Sequence, residues 1–139
     1  MRYWLFKSEP SVWGWNDQTA KGEAGEEWDG VRNYQARNFM REMAIGDLGF
    51  FYHSQKEKAV VGIVEVCKPA HPDSTTNDER WECVDIKAVR SFKMPVTLDQ
   101  IKAEERLSEM VLVRNSRLSV QPVTDAEWVT ICQLGETKP

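Results

Sequence analysis

Ser8, Ser54 and His53 are the residue types from which acyl transfer can be built, since a hydroxyl nucleophile needs an imidazole within hydrogen-bond reach. Chain order does not bring them together, and an isolated histidine at a strand end fits a satisfied polar group at a sheet rim equally well. Cys67, His71 and Cys83 offer three metal-ligand types, but Pro69 and Pro72 crowd them and no fourth ligand is spaced to match, so neither a metal nor a cofactor is expected. With Cys132 the cysteines number three, which suits neither a disulfide framework nor a paired CxxC zinc site, and they read as reduced, buried thiols. The chain has no GxGxxG, no GxxxxGK[ST] and no GxSxG, so dinucleotide, P-loop and nucleophile-elbow chemistry have no support.

What remains is a vocabulary of recognition. Ser8, Asn33, His53, Ser54 and Ser119 can read a base edge, Trp28, Tyr34 and Tyr52 offer flat faces, and Lys7 and Arg117 supply cations. Groups of these types, gathered in one place, bind extruded bases. Tyr34, Arg37, Asn38 and Arg41 follow helical spacing with Arg32 just upstream, a face that meets phosphates or is simply solvated. Four of the six tryptophans, Trp4, Trp13, Trp15 and Trp28, fall near the start; a tryptophan serves core or cage, and the count alone leans towards core.

The elements that must position these groups are legible in outline. Arg2 to Lys7 reads as a strand stopped by Ser8-Glu9-Pro10, with a short helix around Ser11 to Trp15 and a polar loop from Gln18 to Glu27. Ala36, Phe39, Met40 and Met43 recur at helical spacing and Gly46 follows as a helix-ending glycine. Leu48 to His53 and Ala59 to Cys67 form a hairpin by pattern, Pro69 to Arg80 a loop, and Trp81 to Val89 an alternating strand. Thr97 with Gln100, and Thr124 with Glu127, are capping boxes flanked by the staple pairs Val96/Ile101 and Val123/Trp128, so each opens a helix. Met110 to Arg114 reads as one more strand, and Arg117 to Pro122 carries polar groups too regular for a linker. Strands far apart in sequence, without regular alternation of strand and helix, predict a small mixed barrel and not an open doubly wound sheet.

At 139 residues, with 41% hydrophobic and 29% charged residues, the chain suits one globular domain spanning 1–139, a monomer by default. No apolar run approaches the roughly 20 residues of a membrane span, and Lys7, Glu9 and Asp17 interrupt any secretory leader, so a cytoplasmic or nuclear setting and no membrane partner are expected. The net charge of −4 disfavours bulk adhesion to nucleic acid, so any such role must rest on a local site.

Five blocks occur in order: YWLFKSEP from Tyr3, WDGVRNYQARN from Trp28, Gly46-Asp47 with Phe51-Tyr52-His53-Ser54, VGIVEV from Val61, and SRLSVQP from Ser116. Together they resemble the EVE domain family and cover nearly the whole chain. The resemblance implies an α+β, PUA-like twisted mixed β-barrel of about five to six strands flanked by helices, similar to the YTH domains that hold N6-methyladenosine in an aromatic cage. It also implies a non-catalytic pocket for a modified base, methylated or hydroxymethylated cytosine or a related base, in DNA or RNA. Carried onto this chain, Lys7 and Ser8 match the lysine and serine lining the YTH site. Trp28, Asn33 and Tyr34 supply a wall, Tyr52, His53 and Ser54 the floor, and Arg117, Leu118 and Ser119 the opposite wall. Trp13 remains a candidate beside Trp28 for closing the cage.

Two other readings stay open from sequence. One is a small hydrolase of RNA or a nucleoside derivative, as among ASCH-type domains that resemble the same barrel, using Lys7, Ser8 and Glu9. The other is a protein-interaction module with the aromatics as plain core. If Arg32, Arg37 and Arg41 contact phosphates, changing Arg37 and Arg41 to glutamine should flatten the slope of log affinity against log salt by roughly 0.7 per lost contact on single strands, leaving preference for the modified base intact. Affinities measured at a series of salt concentrations check this; an unchanged slope would assign both arginines to surface charge.

Overall fold

The structure, a computed structural model, describes residues 1–139. In chain order it contains β1 (Tyr3–Ser8), α1 (Trp15–Ala20), β2 (Glu26–Glu27), α2 (Tyr34–Glu42), β3 (Leu48–His53), β4 (Ala59–Pro72), β5 (Glu82–Thr97), α3 (Leu98–Ala103), α4 (Val111–Arg114), β6 (Val120–Val123) and α5 (Asp125–Leu134). The strands form one mixed six-stranded sheet in the order β2-β5-β4-β3-β1-β6. β1 runs parallel to β3, from Tyr3 opposite Leu48 to Ser8 opposite His53, and antiparallel to β6. Register shifts interrupt the long β4–β5 ribbon at four places, and such irregularities bend and twist a sheet. Helix α2 packs against both β5 and β6, strands on opposite sides of the sheet's central pair.

The period-two alternation of the strands divides the interior in two. Trp4, Phe6 and Phe51 face one core, shared with Trp28 and with Ala36 and Met40 of α2. Leu5, Phe50 and Tyr52 face the other, shared with Trp128 and Ile131 of α5. Trp128 lies between Tyr3 and Phe50, stacked at centroid distances of 4.4 and 4.0 Å. Both capping boxes form, with the Thr97 and Thr124 hydroxyls accepting from the backbone N–H of Gln100 and Glu127. At the start of β1, the buried Asp47 carboxylate accepts from the Trp4 indole (3.0 Å) and the N–H groups of Ala44 (3.1 Å) and Arg2 (3.2 Å).

Several local expectations are corrected. The first helix begins at Trp15 instead of ending there, and the residues between Pro10 and Gly14 form turns. Its opening is secured by Asp17, whose carboxylate accepts from Gly14 N–H at 2.8 Å. The buried Gln18 donates to Ile86 O and accepts from the Trp13 indole, both at 3.0 Å, so tertiary contacts order a stretch whose composition reads as loop. Helix α2 ends at Glu42 with Met43 extended, and Gly46, at φ +97°, turns the chain into β3 instead of capping the helix. Strands β4 and β5 extend beyond Cys67 and Val89 because they pair with each other as far as Pro72 opposite Glu82 and Ala59 opposite Thr97. Met110 to Arg114 is a helical turn and not a strand. Val113 and Arg114 donate back to Met110 O, while Met110 and Leu112 bury their side chains in the second core. Of the three free thiols, Cys83 and Cys132 are buried and Cys67 is only partly so.

Trp15 spans the row Phe51–Gly62–Ser91, three cross-strand neighbours. Its ring packs on Phe51 at 5.2 Å and its indole N–H donates to Ser91 Oγ at 2.8 Å. A Cβ at Gly62 would fall 2.3 Å from the indole ring. Gly62→Ala should therefore cost about 1–3 kcal/mol through overpacking, read as a lower denaturation midpoint in urea. An unchanged midpoint would show that the indole is free to shift.

Candidate functional site

The C-terminal end of β1 delivers Lys7 and Ser8 to the mouth of a cavity of about 560 Å³, a size that suits a small organic ligand. Lys7 N–H donates to Ser119 O at 2.9 Å, which draws Ser119 to the same rim. The Lys7 ammonium donates to Ser116 O and lies 5.9 Å from the Tyr52 ring centroid; burial holds its pKa below the usual lysine range. Trp13 and Trp28 both line the cavity, so the two tryptophans left as alternatives by the sequence are brought together. Trp28, 8% exposed, meets Phe6 and Phe51 edge-on and anchors its backbone N–H on Val84 O (2.8 Å), whereas Trp13 is only half-buried.

The cavity is also acidic. Glu9, Glu26, Glu27 and Asp29 line it against the cations Lys7 and Arg32. Burial raises the Asp29 pKa, and the neighbouring negative charges of Asp73, Glu27 and Glu26 raise it further. Behind the rim, Asp73 has a side chain only 1% exposed and accepts from Gly30 N–H (2.9 Å), Thr75 N–H (2.8 Å), the Thr75 hydroxyl (2.5 Å) and Arg32 (3.1 Å). Burial alone would push this carboxyl up, but those donors outweigh it and bring the pKa down to about 2. Sequence reasoning named Glu9 only in the hydrolase reading and missed Glu26, Glu27 and Asp29; the available signal was a run of carboxylates on either side of Trp28, read as loop composition.

The other expected site residues separate. Of Ser8, Asn33, His53 and Ser119, only Ser8 and Ser119 line the cavity. The Asn33 side chain caps α2, accepting from Ala36 N–H at 2.9 Å, a demand that the start of a helix imposes. Tyr34 is outside, stacked on Trp81 at 4.9 Å with the Arg37 guanidinium 4.9 Å from its ring centroid. Tyr52 points into the second core, where burial raises its pKa to about 12, and Leu118 is buried in the first. Arg117 is exposed and absent from the lining.

His53 belongs to a second hollow with Pro10, Trp15 and Asp17, and its Nε2 accepts from Trp15 N–H at 3.0 Å. Ser54 donates to Ser8 O through both N–H (2.9 Å) and hydroxyl (3.2 Å), while the Ser8 hydroxyl donates to Trp13 O. Neither serine hydroxyl is bonded to the imidazole. Among the arginines, Arg32 is held by Asp73 and Arg41 is paired with Glu82, while Arg37 donates to Arg80 O and Asn38. The lining combines two tryptophans with carboxylates, groups that can stack on a flat ring and accept hydrogen bonds from N–H donors.

A six-stranded mixed sheet flanked by five helices, with its cavity at the end of the first strand, makes this an α+β domain of the PUA-like class. The chain belongs to the EVE domain family, whose model matches residues 2–134. It is 37% identical to mouse thymocyte nuclear protein 1 over 99% of its own length and 75% of the relative's. It superposes on a crystal structure of an Agrobacterium tumefaciens protein with TM-score 0.97 and 58% identity, over 99% of this chain and 94% of that one. The structure of human THYN1 in complex with DNA containing 5-methylcytosine matches with TM-score 0.90 and 34% identity over 100% of both chains. A YTH domain from Zygosaccharomyces rouxii shares the fold at TM-score 0.61 and 14% identity.

The Asp73 network generates a pH test. Because its folded pKa is depressed, its contribution to stability is fully present above the ordinary aspartate value of 3.8 and is lost as pH falls through about 2. Asp73→Asn should cost about 2 kcal/mol at neutral pH and converge with the parent chain near pH 2, measured by urea unfolding across that range. Parallel pH profiles for the two proteins would refute the depressed pKa.

Proposed function

We propose that this chain is a non-catalytic module that takes a single modified base, methylated or hydroxymethylated cytosine or a close relative, extruded from DNA or RNA into the cavity at the end of β1. The observation that carries the reading is the pairing of Trp13 and Trp28 with Glu26, Glu27 and Asp29 around one cavity. Indoles stack on any base, while carboxylates accept hydrogen bonds from an exocyclic amino group such as cytosine N4 and repel phosphate. That division puts the base inside and the backbone outside, towards Arg32, Arg37 and Arg41.

The relative that binds DNA containing 5-methylcytosine supports the reading through its 34% identity over the whole chain. A methyl group contributes only about 1–3 kcal/mol of discrimination, so a close-fitting apolar wall matters more than a basic surface. The net charge of −4 predicts weak binding to unmodified duplex.

Trp13 offers the cleaner test because, unlike Trp28, it is only half-buried. Trp13→Ala should weaken binding of oligonucleotides carrying 5-methylcytosine by about 1–3 kcal/mol, roughly five- to 150-fold, in a chain that still folds but melts lower because buried Gln18 loses its indole donor. Calorimetry of the parent and variant against methylated, hydroxymethylated and plain strands measures this. Equal affinity of the parent chain for all three strands, or full binding by the variant, would remove the reading.

A further inference from the structure

We propose that Glu27, His71 and Cys83 form a binding site for one zinc ion. One ligand atom from each residue lies within 4.8 Å of the others. Zinc bonds of roughly 2.0–2.3 Å in a tetrahedron put ligand atoms about 3.3–3.8 Å apart, so side-chain rotations of modest size close the site. The backbone need not move, because three strands already hold the ligands in register: His71 on β4 is opposite Cys83 on β5, and Glu27 on β2 is opposite Asp85 on β5. The sequence grouped His71 and Cys83 with Cys67; the structure replaces Cys67 with Glu27. The Cys67 thiol instead borders Gly25.

The donor set selects the metal. One thiol, one imidazole and one carboxylate form a borderline-soft set that suits zinc, whereas calcium and magnesium require oxygen ligands throughout. Asp85, 2.7 Å from His71 Nε2, stands where a fourth ligand or an outer carboxylate partner of the imidazole belongs. Cys83 is fully buried, but His71 and Asp85 keep side chains 20% exposed, which leaves the ion a path inward.

The Cys83 thiol faces Glu27 Oε1 at 3.5 Å, so two of the three ligands already meet. On binding, the zinc–sulfur bond forms as the S–H bond breaks and the thiol proton leaves to solvent. Glu27 also lines the cavity beside Trp28, so the ion would tie β2 and that wall to the β4–β5 ribbon. Glu27 is shared with the cavity wall, but the zinc site stands on its own ligand geometry and is tested with no base present.

The test uses the full chain, stripped with a chelator and titrated with Zn²⁺ against a chromogenic competitor, then with Co²⁺ as a spectroscopic substitute. The expected result is one zinc per chain and a cobalt spectrum with a thiolate charge-transfer band and tetrahedral d–d absorption. His71→Gln and Glu27→Gln should each weaken zinc tenfold or more, Cys83→Ser should abolish the thiolate band, and Cys132→Ser should change neither. Should Cys83→Ser fail to fold, His71→Gln and Glu27→Gln decide the outcome. Sub-stoichiometric zinc, a cobalt spectrum without the thiolate band, or parental affinity in His71→Gln would overturn the site.

Discussion

The burial of β1 on both faces is the constraint from which the rest of the architecture follows. Trp4, Leu5 and Phe6 are each 0% exposed, and because side chains alternate along a strand, consecutive residues feed opposite cores. A strand covered in this way must be interior to its sheet and needs partners on both edges, which β3 and β6 provide. Full burial of side chains as large as these contributes about 1.5–3 kcal/mol each, so register along β1 is strongly specified. Ser8 then ends the strand opposite His53 with no freedom to slip, and the cavity opens beside residues whose positions are set by packing far from any ligand.

Asp47 and Asp73 perform similar work at different places. Each is a buried carboxylate satisfied by three or more donors, and each joins segments distant in sequence. Asp47 ties the start of β1 to the turn before β3; Asp73 ties the Gly30–Arg32 rim to the loop after β4. A buried carboxylate is costly unless its lone pairs are filled, so these networks hold as units. The consequence at the cavity is a rim cation, Arg32, neutralised from behind by Asp73, in front of a wall of carboxylates. Electrostatics there favour a ligand that donates hydrogen bonds over an anion.

Strand β2 has only two residues, yet it connects the cavity to the β4–β5 ribbon. Glu27 lines the cavity and also bonds to Ser74 and Cys83, while the next residue, Trp28, lines the same space and packs against Phe6 and Phe51. The acidic wall is thus carried by a short edge strand, the kind of element whose local stability is low unless something braces it.

Much of the framework is readable in the residues themselves. The aromatic density of β1, the helical spacing of Ala36, Phe39 and Met40, and the two capping boxes at Thr97 and Thr124 are local signals, and local physics reproduces them. Of the residues in the family blocks, Lys7, Ser8, Trp28 and Ser119 line one cavity. Where local preference conflicted with tertiary demand, it lost: Met110 to Arg114 is β-prone by composition but became helical while burying Met110 and Leu112, and polar Gln18 entered a helix to reach Ile86 O. Asn33 and His53 have the right chemistry to read a base but serve a helix cap and the start of α1 instead. The acids around Trp28, and the meeting of Glu27 with His71 and Cys83, depend on pairings between strands tens of residues apart. Side-chain types and short spacings are properties of the chain alone; which groups share a cavity is decided by long-range register, because hydrogen bonding and van der Waals contact act only at a few ångströms, a proximity that sequence order does not encode.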